Sequence, residues 1–297
     1  MSFNESITKK AEDIDSIIEK FLPEEKGYQK TIFSAMRYSL MAGGKRLRPM
    51  LMQEIYYALG GTGTVIEPFM AAMEMIHTYS LVHDDLPAMD NDEYRRGRKT
   101  THIVYGEAMG ILAGDALLNY AFETACKAFD MADEATYPLI AKALKVLSEK
   151  AGVYGMIGGQ VVDVESESSE EAISGNKLLY IHEHKTAALI QASLMIGAIL
   201  AGADENKIQM LEKSAYDLGI AFQIQDDILD VTSTFEELGK PIGSDEKNHK
   251  QTYVSIYGLD KAKSEVKQLS EEAIALLDME EESFLVQLFR SLIFRKK

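Results

Sequence analysis

Two clusters of aspartate are the residues of this chain best suited to chemistry. Asp84, Asp85 and Asp90 end one strongly apolar stretch, and Asp226 and Asp230 end another. Ionised carboxylates in apolar surroundings are costly unless a cation or a proton neutralises them. Mg²⁺ takes oxygen ligands and is commonly bound by one or two carboxylates together with substrate phosphates. Two such clusters facing one cavity would hold several metal ions and, through these ions, a polyphosphate.

The second cluster has the spacing of a helical metal site. Asp226 and Asp230 are four residues apart, so on a helix they share one face. Gln223 lies one turn earlier on nearly the same face. This spacing suits joint coordination of a metal ion.

The first cluster contains a helix breaker. Asp84 and Asp90 are six residues apart and on an ideal helix would point about 120° away from each other. Pro87 removes a helix hydrogen bond and disfavours helical geometry at Leu86. We therefore expect the helix to end or bulge here, so that Asp90 folds back towards Asp84.

Basic residues form small groups beside the acidic clusters and at the edges of predicted loops. Arginine forks and lysine ammonium groups in such places suit the oxygens of a diphosphate. Each of them alone is more typical of a solvated surface charge, and their shared placement favours an anion site. The groups consist of Lys45, Arg46, Arg48, Arg95, Arg96, Lys185, Lys240 and Lys250.

Other catalytic arrangements match this chain poorly. His182 and His184 are two residues apart and face different ways on a helix, so they make no convincing zinc site. The sequence has no glycine-rich nucleotide loop and no Gly-x-Ser-x-Gly element.

Composition and charge favour an acidic protein of the cytoplasm. The chain has 297 residues, and 31 basic against 47 acidic side chains give a net charge of −16, which suits nucleic acid poorly. Cys126 is the single cysteine, so a reducing compartment is expected. The first residues lack the basic start and apolar run of a signal peptide. The most apolar segment, residues 187–203, is shorter than the ~20 residues of a membrane span.

The elements that position these residues are predicted to be helices. Polar loops are expected at residues 86–101 and 236–250, a glycine-rich piece at 152–160 and an acidic loop at 165–175. No alternating strand pattern and no low-complexity linker appears, so we expect an all-α protein with one domain over residues 1–297. Apolar residues at helical spacing predict helices at about residues 7–21, 28–42, 49–59, 66–83, 103–129, 135–151, 177–203 and 205–234, and again from 259.

Together these residues resemble the trans-isoprenyl diphosphate synthases, and among them the bacterial farnesyl diphosphate synthases most. The similarity extends over nearly the whole chain in ordered, spaced motifs. The matching segments are Gly43-Gly44-Lys45-Arg46-Leu47-Arg48-Pro49, residues 84–97, Gly158-Gly159-Gln160, Lys185-Thr186, residues 222–230 and Gly239-Lys240-Pro241.

The resemblance implies an isoprenoid-synthase bundle of helices around a deep central cavity, usually in a homodimer. It also implies Mg²⁺ as cofactor, with Mn²⁺ as a substitute. Asp84, Asp85 and Asp90 would hold two ions on an allylic diphosphate, and Asp226, with Asp230 beside it, would hold a third.

The resemblance assigns Thr186 and Gln223 to the carbocation formed during the reaction, at which they would aim oxygen dipoles. It assigns the basic residues to two substrates. The allylic diphosphate would be contacted by Arg95, Lys185, Lys240 and Lys250, and isopentenyl diphosphate by Lys45, Arg48, His77 and Arg96.

The expected activity is head-to-tail condensation of isopentenyl diphosphate with dimethylallyl or geranyl diphosphate to give farnesyl diphosphate. A geranyl or geranylgeranyl diphosphate synthase is the alternative within the class. A terpene cyclase and a non-catalytic synthase subunit are alternatives from other classes. Two whole aspartate clusters argue against the subunit, and Lys45 with Arg48 argues against the cyclase.

Product length is assigned to the helix before the first aspartates. Tyr79 lies five residues before Asp84, about 7.5 Å along a helix, with Ser80 next to it. An aromatic ring there would act as a floor for the growing chain, and family members that make the twenty-carbon product often carry a smaller residue. Tyr79 therefore favours the fifteen-carbon product, although an aromatic side chain at this position also suits ordinary core packing.

Overall fold

The computed structural model describes residues 2–168, 172–232 and 251–293. Within these ranges almost all regular structure is helical, which confirms the all-α prediction. The α-helices and strands up to residue 151 are α1 (Phe3–Phe21), α2 (Lys30–Leu40), α3 (Leu47–Ala58), α4 (Glu67–Asp84), β1 (Tyr94–Arg95), β2 (Arg98–Lys99), α5 (Thr101–Tyr105), α6 (Glu107–Cys126) and α7 (Tyr137–Ala151), with a 3-10 helix at Lys127–Met131. The later ones are α8 (Met156–Glu167), α9 (Gly175–Ile181), α10 (Ala188–Leu200), α11 (Glu205–Thr232), α12 (Tyr253–Tyr257), α13 (Leu259–Leu277) and α14 (Phe284–Ile293).

The backbone forms two compact units. The first comprises Met1–Leu144 with Ile199–Gly202, and the second comprises Lys145–Ala198 with Ala203–Lys297. The expected single domain over residues 1–297 stays a prediction. None of the helices in the described ranges combines the length and the apolar character that crossing a bilayer requires.

Helix α4 is buried on nearly all sides within the first unit. It packs against α1, α2, α3 and α6, and most of its side chains are shielded from water. A helix that is apolar all round is stable only when it is enclosed in this way. The enclosed helix therefore gives the first aspartate cluster, which follows it directly, a rigid support.

A glycine divides the helix that was predicted over residues 103–129. Gly106, with φ of 89°, ends α5 and begins α6. Glycine adopts positive φ without the steric penalty that a side chain brings, so the chain changes direction here. The prediction of one continuous helix over residues 103–129 was therefore wrong at Gly106.

A short hairpin lies in the segment that was predicted to be a polar loop. Tyr94 pairs with Lys99 and Arg95 with Arg98 in an antiparallel ladder. Arg96 and Gly97 form the two-residue connection, and both have positive φ, 53° and 74°. Positive φ at both positions is the requirement of the hairpin turn that matches strand twist.

Helix α11 supports the second aspartate cluster within the second unit. It packs along α13, and it also contacts the segment His182–Ala187. That segment is a π-helical turn between α9 and α10, where the sequence predicted one continuous helix over residues 177–203.

Helix α8 occupies part of the chain that was predicted to be loop. It runs from Met156 to Glu167 through the glycine-rich and acidic stretches. Gly159 faces the π-helical turn so closely that a Cβ atom there would overlap the backbone of His184 and Lys185. Glycine at this position permits the close approach of the two elements.

Candidate active site

The first aspartate segment folds back as its sequence predicted. Helix α4 ends at Asp84, and the Asp90 amide donates to the Asp84 carbonyl at 2.9 Å. The Asn91 amide donates to the Leu86 carbonyl at 3.1 Å, and Asn91 has a positive φ of 54°. The backbone therefore brings Asp90 next to Asp84 despite their sequence separation.

Asp85 has a different environment from its two neighbours. It is buried, and Arg95 Nε donates to its Oδ1 at 2.7 Å. Burial raises the pKa of Asp85, while the Arg95 guanidinium opposes that rise. Arg95 also lies 3.7 Å from the Asp92 carboxylate. Asp85 thus holds Arg95 beside the pair formed by Asp84 and Asp90.

A tight basic turn lies at the amino-terminal end of α3. Arg96 Nη1 donates to the Gly43 carbonyl. A Cβ atom on Gly44, whose φ is 141°, would lie 2.6 Å from the same Arg96 nitrogen. A side chain at position 44 would have to displace this guanidinium and would adopt a φ that residues with a Cβ atom avoid. The Gly43-Gly44 pair therefore makes space for Arg96.

Arg48 and His77 lie in the field of this basic group. Among the described residues, none accepts a hydrogen bond from the buried Arg48 Nε. Burial lowers the pKa of Arg48. Burial, and then the charges of Arg48 and Arg96, hold the pKa of His77 well below its usual range. His77 is therefore a neutral imidazole at physiological pH, and the Arg48 nitrogen suits an anionic oxygen.

Lys45, which was predicted with this group, is exposed at its edge. Arg46, between Lys45 and Arg48, points inward and is buried. Three of the four residues predicted for the isopentenyl substrate therefore lie in one electrostatic group, and Lys45 borders it along the chain.

Tyr79 lies inside the first unit, where the sequence predicted a product floor. It is 5% exposed, and within the described part of the chain its hydroxyl has no hydrogen-bond partner. Burial, and then the nearby Asp84 charge, raise the pKa of Tyr79 to about 12. Its ring meets the His83 ring edge to face at 5.9 Å. The Ser80 hydroxyl donates to the His77 carbonyl at 3.0 Å, so it is satisfied by the helix backbone.

The second aspartate cluster has one half-buried face and one buried face. Gln223, Asp226 and Asp230 are half-buried on the same side of α11, as their spacing predicted. Thr186 Oγ1 donates to Gln223 Oε1 at 3.2 Å. Asp227 is buried instead and accepts the Tyr253 amide at 2.7 Å, which ties α12 to α11.

Lys185 is held by a residue that the sequence reasoning missed. Its Nζ lies 2.5 Å from Oδ2 of Asp163, a carboxylate of α8 that is 5% exposed. A buried aspartate among valines is a recognisable signal, because an ionised carboxylate in such surroundings requires a partner. Lys185 and Thr186 both lie in the π-helical turn.

Lys240 and Lys250, which were predicted to contact the allylic diphosphate, lie outside the described residues. The sequence segments that carry them follow α11 directly.

The carboxylates fit a hard divalent cation. Asp84 with Asp90, and Asp226 with Asp230, offer oxygen ligands in pairs. Within the described ranges, no three aspartate, glutamate, histidine or cysteine side chains converge to form a complete metal site. Mg²⁺ is commonly bound by one or two carboxylates with water and substrate phosphates supplying the rest, and this donor set fits that pattern.

Comparisons with known proteins give the family of this chain. A model of the polyprenyl synthetase family matches residues 29–292. A farnesyl diphosphate synthase of Geobacillus stearothermophilus is 43% identical over 90% of this chain and 88% of its own. A geranylgeranyl diphosphate synthase of Cyanophora paradoxa is 44% identical over 89% of this chain and 86% of its own.

Solved structures share the fold over almost the full length. A farnesyl and geranylfarnesyl diphosphate synthase of Zymomonas mobilis is 30% identical with a TM-score of 0.86, and the match covers 99% of both chains. A geranyltransferase of Helicobacter pylori, solved with magnesium and isoprenyl diphosphate, is 32% identical with a TM-score of 0.81, over 99% of this chain and 97% of its own. The chain therefore belongs to the polyprenyl synthetase family, and it is a prenyltransferase of the trans-prenyl diphosphate synthase type.

Proposed function

We propose that this chain joins isopentenyl diphosphate head to tail to an allylic diphosphate and makes farnesyl diphosphate. Dimethylallyl diphosphate would be extended to geranyl diphosphate, and geranyl diphosphate to the fifteen-carbon product. One observation carries the proposal: Asp90 folds back onto Asp84, and Asp85 holds Arg95 beside them. Two carboxylates and a guanidinium at the end of one apolar helix are the groups that a metal-bound allylic diphosphate requires.

The carboxylates would hold magnesium on that diphosphate. Asp84, Asp85 and Asp90 would provide ligands from α4 and its continuation, with Asp85 also accepting the Arg95 hydrogen bond. Asp226 and Asp230 would provide ligands from α11. When bound, Mg²⁺ supplies positive charge that stabilises the departing diphosphate. The magnesium in the Helicobacter pylori relative supports this choice of ion.

Arg95 and Lys185 would act on the bond that breaks. The allylic C–O bond is cleaved, and its electron pair leaves with the diphosphate. The two cations stabilise the charge that develops on those oxygens. Buried carboxylates already hold both of them, at 2.7 Å and 2.5 Å, so little reorganisation accompanies the step.

The carbocation that remains would be stabilised by oxygen dipoles. Thr186 Oγ1 and Gln223 Oε1 lie 3.2 Å apart within the second unit, and each has a lone pair to direct at a positive centre. Neither side chain carries a negative charge, so neither would capture the cation as a stable ester.

Isopentenyl diphosphate would be seated by the basic turn. Arg48, Arg96 and Lys45 would bind its diphosphate, and the neutral His77 would donate an N–H hydrogen bond. The double bond attacks the allylic carbon, a new carbon–carbon bond forms, and the neighbouring carbon loses a proton. The released diphosphate is the base that we assign to this proton.

The fifteen-carbon product is the finer part of the proposal. The buried Tyr79 ring supports it, because it would block further growth of the chain. A geranylgeranyl product is the second candidate, because a relative with that activity is as similar to this chain as the farnesyl diphosphate synthase. The homodimer and the cytoplasmic location stay predictions.

The test is a product-length assay on the purified protein. The protein is incubated with Mg²⁺, isopentenyl diphosphate and either dimethylallyl or geranyl diphosphate, and the dephosphorylated alcohols are identified by mass spectrometry. Farnesol as the dominant alcohol is the expected result. Geranylgeraniol would keep the reaction and discard the chain length. No condensation product from either starter would overturn the proposal, and geranyl diphosphate alone would then test for a cyclase.

A further inference from the structure

Arg46 combines burial, positive charge and strained backbone. Its side chain is fully buried, and its φ of 47° lies in the left-handed region. Residues with a Cβ atom avoid that region, and they keep it only where the surrounding structure over-determines them. Such strain is concentrated at functional sites, so the contacts of Arg46 matter.

Each arm of the Arg46 guanidinium binds a different helix of the first unit. Nε donates to Asp15 Oδ1 of α1 at 2.6 Å, and Nη1 donates to Glu74 Oε1 of α4 at 2.7 Å. Nη2 donates to the carbonyl of Leu40, the last residue of α2, at 2.7 Å. A planar fork with five N–H donors makes these three bonds at once, and a lysine ammonium does not reproduce the geometry.

These bonds fix the segment that carries the basic turn. Arg46 is the residue from which α3 begins, since the Met50 amide donates to its carbonyl at 3.0 Å. Lys45 precedes it and is exposed, and Arg48 lies in the first helical turn. Because Arg46 turns inward, its two neighbours are held at the edge of the group that includes Arg96 and His77.

Arg46 also determines which arginine forms the direct ion pair with Glu74. Glu74 is 2% exposed, and its negative charge acts on Arg48 and Arg96 as well as on Arg46. With Arg46 in place, Glu74 has a direct partner at 2.7 Å. Without it, an unpaired buried carboxylate would attract Arg48 and Arg96 away from a bound anion.

We propose that Arg46 is a positioning residue for the diphosphate of isopentenyl diphosphate. It holds Lys45 and Arg48 in place, and by pairing with Glu74 it leaves Arg48 and Arg96 available to the substrate. The inference rests on the proposed function, because that function supplies the second diphosphate.

Arg46→Lys is the test variant, and Arg37→Lys is its matched control. Arg37 is a half-buried arginine of α2 paired with Glu19 at 2.7 Å. In steady-state assays Arg46→Lys should raise the KM for isopentenyl diphosphate at least tenfold, with kcat and the allylic KM within about threefold. Arg37→Lys should leave all three unchanged. An unchanged KM for isopentenyl diphosphate, or a parallel loss at both substrates, would overturn the inference.

Binding without turnover separates this inference from the proposed function. Isopentenyl diphosphate alone is titrated calorimetrically into each protein in EDTA, where no condensation proceeds. Weaker binding to Arg46→Lys than to wild type or Arg37→Lys supports the inference even if the wild type makes no prenyl product. Equal binding overturns it even if the wild type makes farnesyl diphosphate.

Asp15→Asn keeps the inference testable if Arg46→Lys does not fold. Asp15 is only partly buried, and asparagine preserves an acceptor for Arg46 Nε while removing the charge. The variant should fold and raise the dissociation constant for isopentenyl diphosphate severalfold. A folded Asp15→Asn protein with wild-type binding would contradict the inference.

Discussion

Lys185 and Arg95 each form an ion pair with a buried carboxylate. Asp163 holds Lys185 within the second unit, and Asp85 holds Arg95 within the first. Free lysine and arginine side chains lose considerable rotamer entropy when they bind an anion. These pairs fix the cations in advance, which lowers that cost at the moment when the substrate arrives.

Asp163→Asn should therefore reduce activity, although residue 163 itself would not contact the substrate. The amide keeps a hydrogen bond to Lys185 but not the charge, so the ammonium group loses its fixed position. A misplacement of about 1 Å is enough to lower turnover about 100-fold. We expect kcat/KM for the allylic substrate to fall about 10- to 100-fold and the KM for isopentenyl diphosphate to change little, as measured by steady-state kinetics.

Glu149→Gln is the control for Asp163→Asn. Glu149 forms an exposed pair with Lys145 at 3.7 Å in the same unit. Exposed pairs of this kind contribute little, so its kinetics should match those of the wild type. Equal losses in both variants, or a loss of isopentenyl and allylic binding together, would show that Asp163 does not act through Lys185.

His77 predicts a pH dependence of stability. Its pKa is lowered well below the usual value, so below about pH 6.5 the unfolded chain takes up a proton that the folded chain does not. The contribution of neutral His77 to the free energy of unfolding is therefore fully present above about pH 6.5. It declines as the pH falls towards the lowered pKa, by up to about 1.4 kcal/mol for each pH unit. His77→Asn should flatten the fall of Tm between about pH 7 and pH 5.

His77→Gln removes the same proton site with a different side-chain shape. It should flatten the Tm profile by the same amount as His77→Asn. A profile as steep as that of the wild type in both variants would mean that His77 is already charged in the folded protein.

Single residue types were predictable from the sequence, and their partners were not. The aspartates and arginines of the site were recognisable because they are charged residues next to apolar stretches. Asp163 with Lys185, and Glu74 with Arg46, are pairs from different helices, and only the packing of those helices brings them together. Local spacing carries no information about such contacts.

At the scale of elements, α4 is a buried helix whose carboxyl end carries the first aspartate cluster. Its long apolar stretch predicted its limits to within one residue, and Pro87 lies three residues beyond its carboxyl end. Tyr79 lies on this helix five residues before Asp84, so the helix itself sets the distance between the floor and the site, about 7.5 Å.

Tyr79→Ala should lengthen the product. Removing the ring leaves space below the growing chain, and the expected result is a clear share of twenty-carbon product by mass spectrometry. Truncating a buried aromatic residue also costs about 3–5 kcal/mol of stability, so Tm should fall. An unchanged product distribution would reduce Tyr79 to ordinary core packing.

Two control variants separate the floor from general damage. Tyr79→Phe keeps the ring and removes a buried hydroxyl that, among the described residues, has no partner, so the product should stay at fifteen carbons. Tyr57→Ala truncates a tyrosine of α3 that is 51% exposed and should alter neither product nor Tm.

Element boundaries failed where backbone geometry departs from the helical period. Gly106 interrupts a segment that was predicted to be one helix. The π-helical turn contains one extra residue, and the residue types there give no sign of it. The hairpin at residues 94–99 is too short to show an alternating pattern. Hydrophobic periodicity reports which side is buried, and it does not report a local change of hydrogen bonding.

At the scale of the whole molecule, the two acidic clusters belong to different compact units. The proposed reaction assigns both clusters to the same diphosphate. Asp84→Ala and Asp226→Ala should each lower kcat by orders of magnitude while leaving the circular dichroism spectrum and Tm near those of the wild type. Groups that act as one unit are strongly non-additive, so the double variant should lose about as much as either single one.

Asp130→Ala, an exposed aspartate of the first unit, serves as the charge control and should be fully active. Activity is measured at saturating Mg²⁺. Near-normal turnover in Asp84→Ala or Asp226→Ala, or losses that multiply in the double variant, would contradict the assignment of both clusters to one diphosphate.

The π-helical turn at His182–Ala187 has a consequence for how this chain tolerates insertions and deletions. A π turn bonds each residue to one five positions away, so it contains one residue more than the α-helix on either side of it. Deleting a residue within the turn would let the backbone relax into a plain α-helix and keep α9 and α10 in register with their buried faces. The same deletion elsewhere in α10 would rotate every later side chain by about 100°. Chain length is therefore adjustable at one place in this helix, and that place carries Lys185 and Thr186.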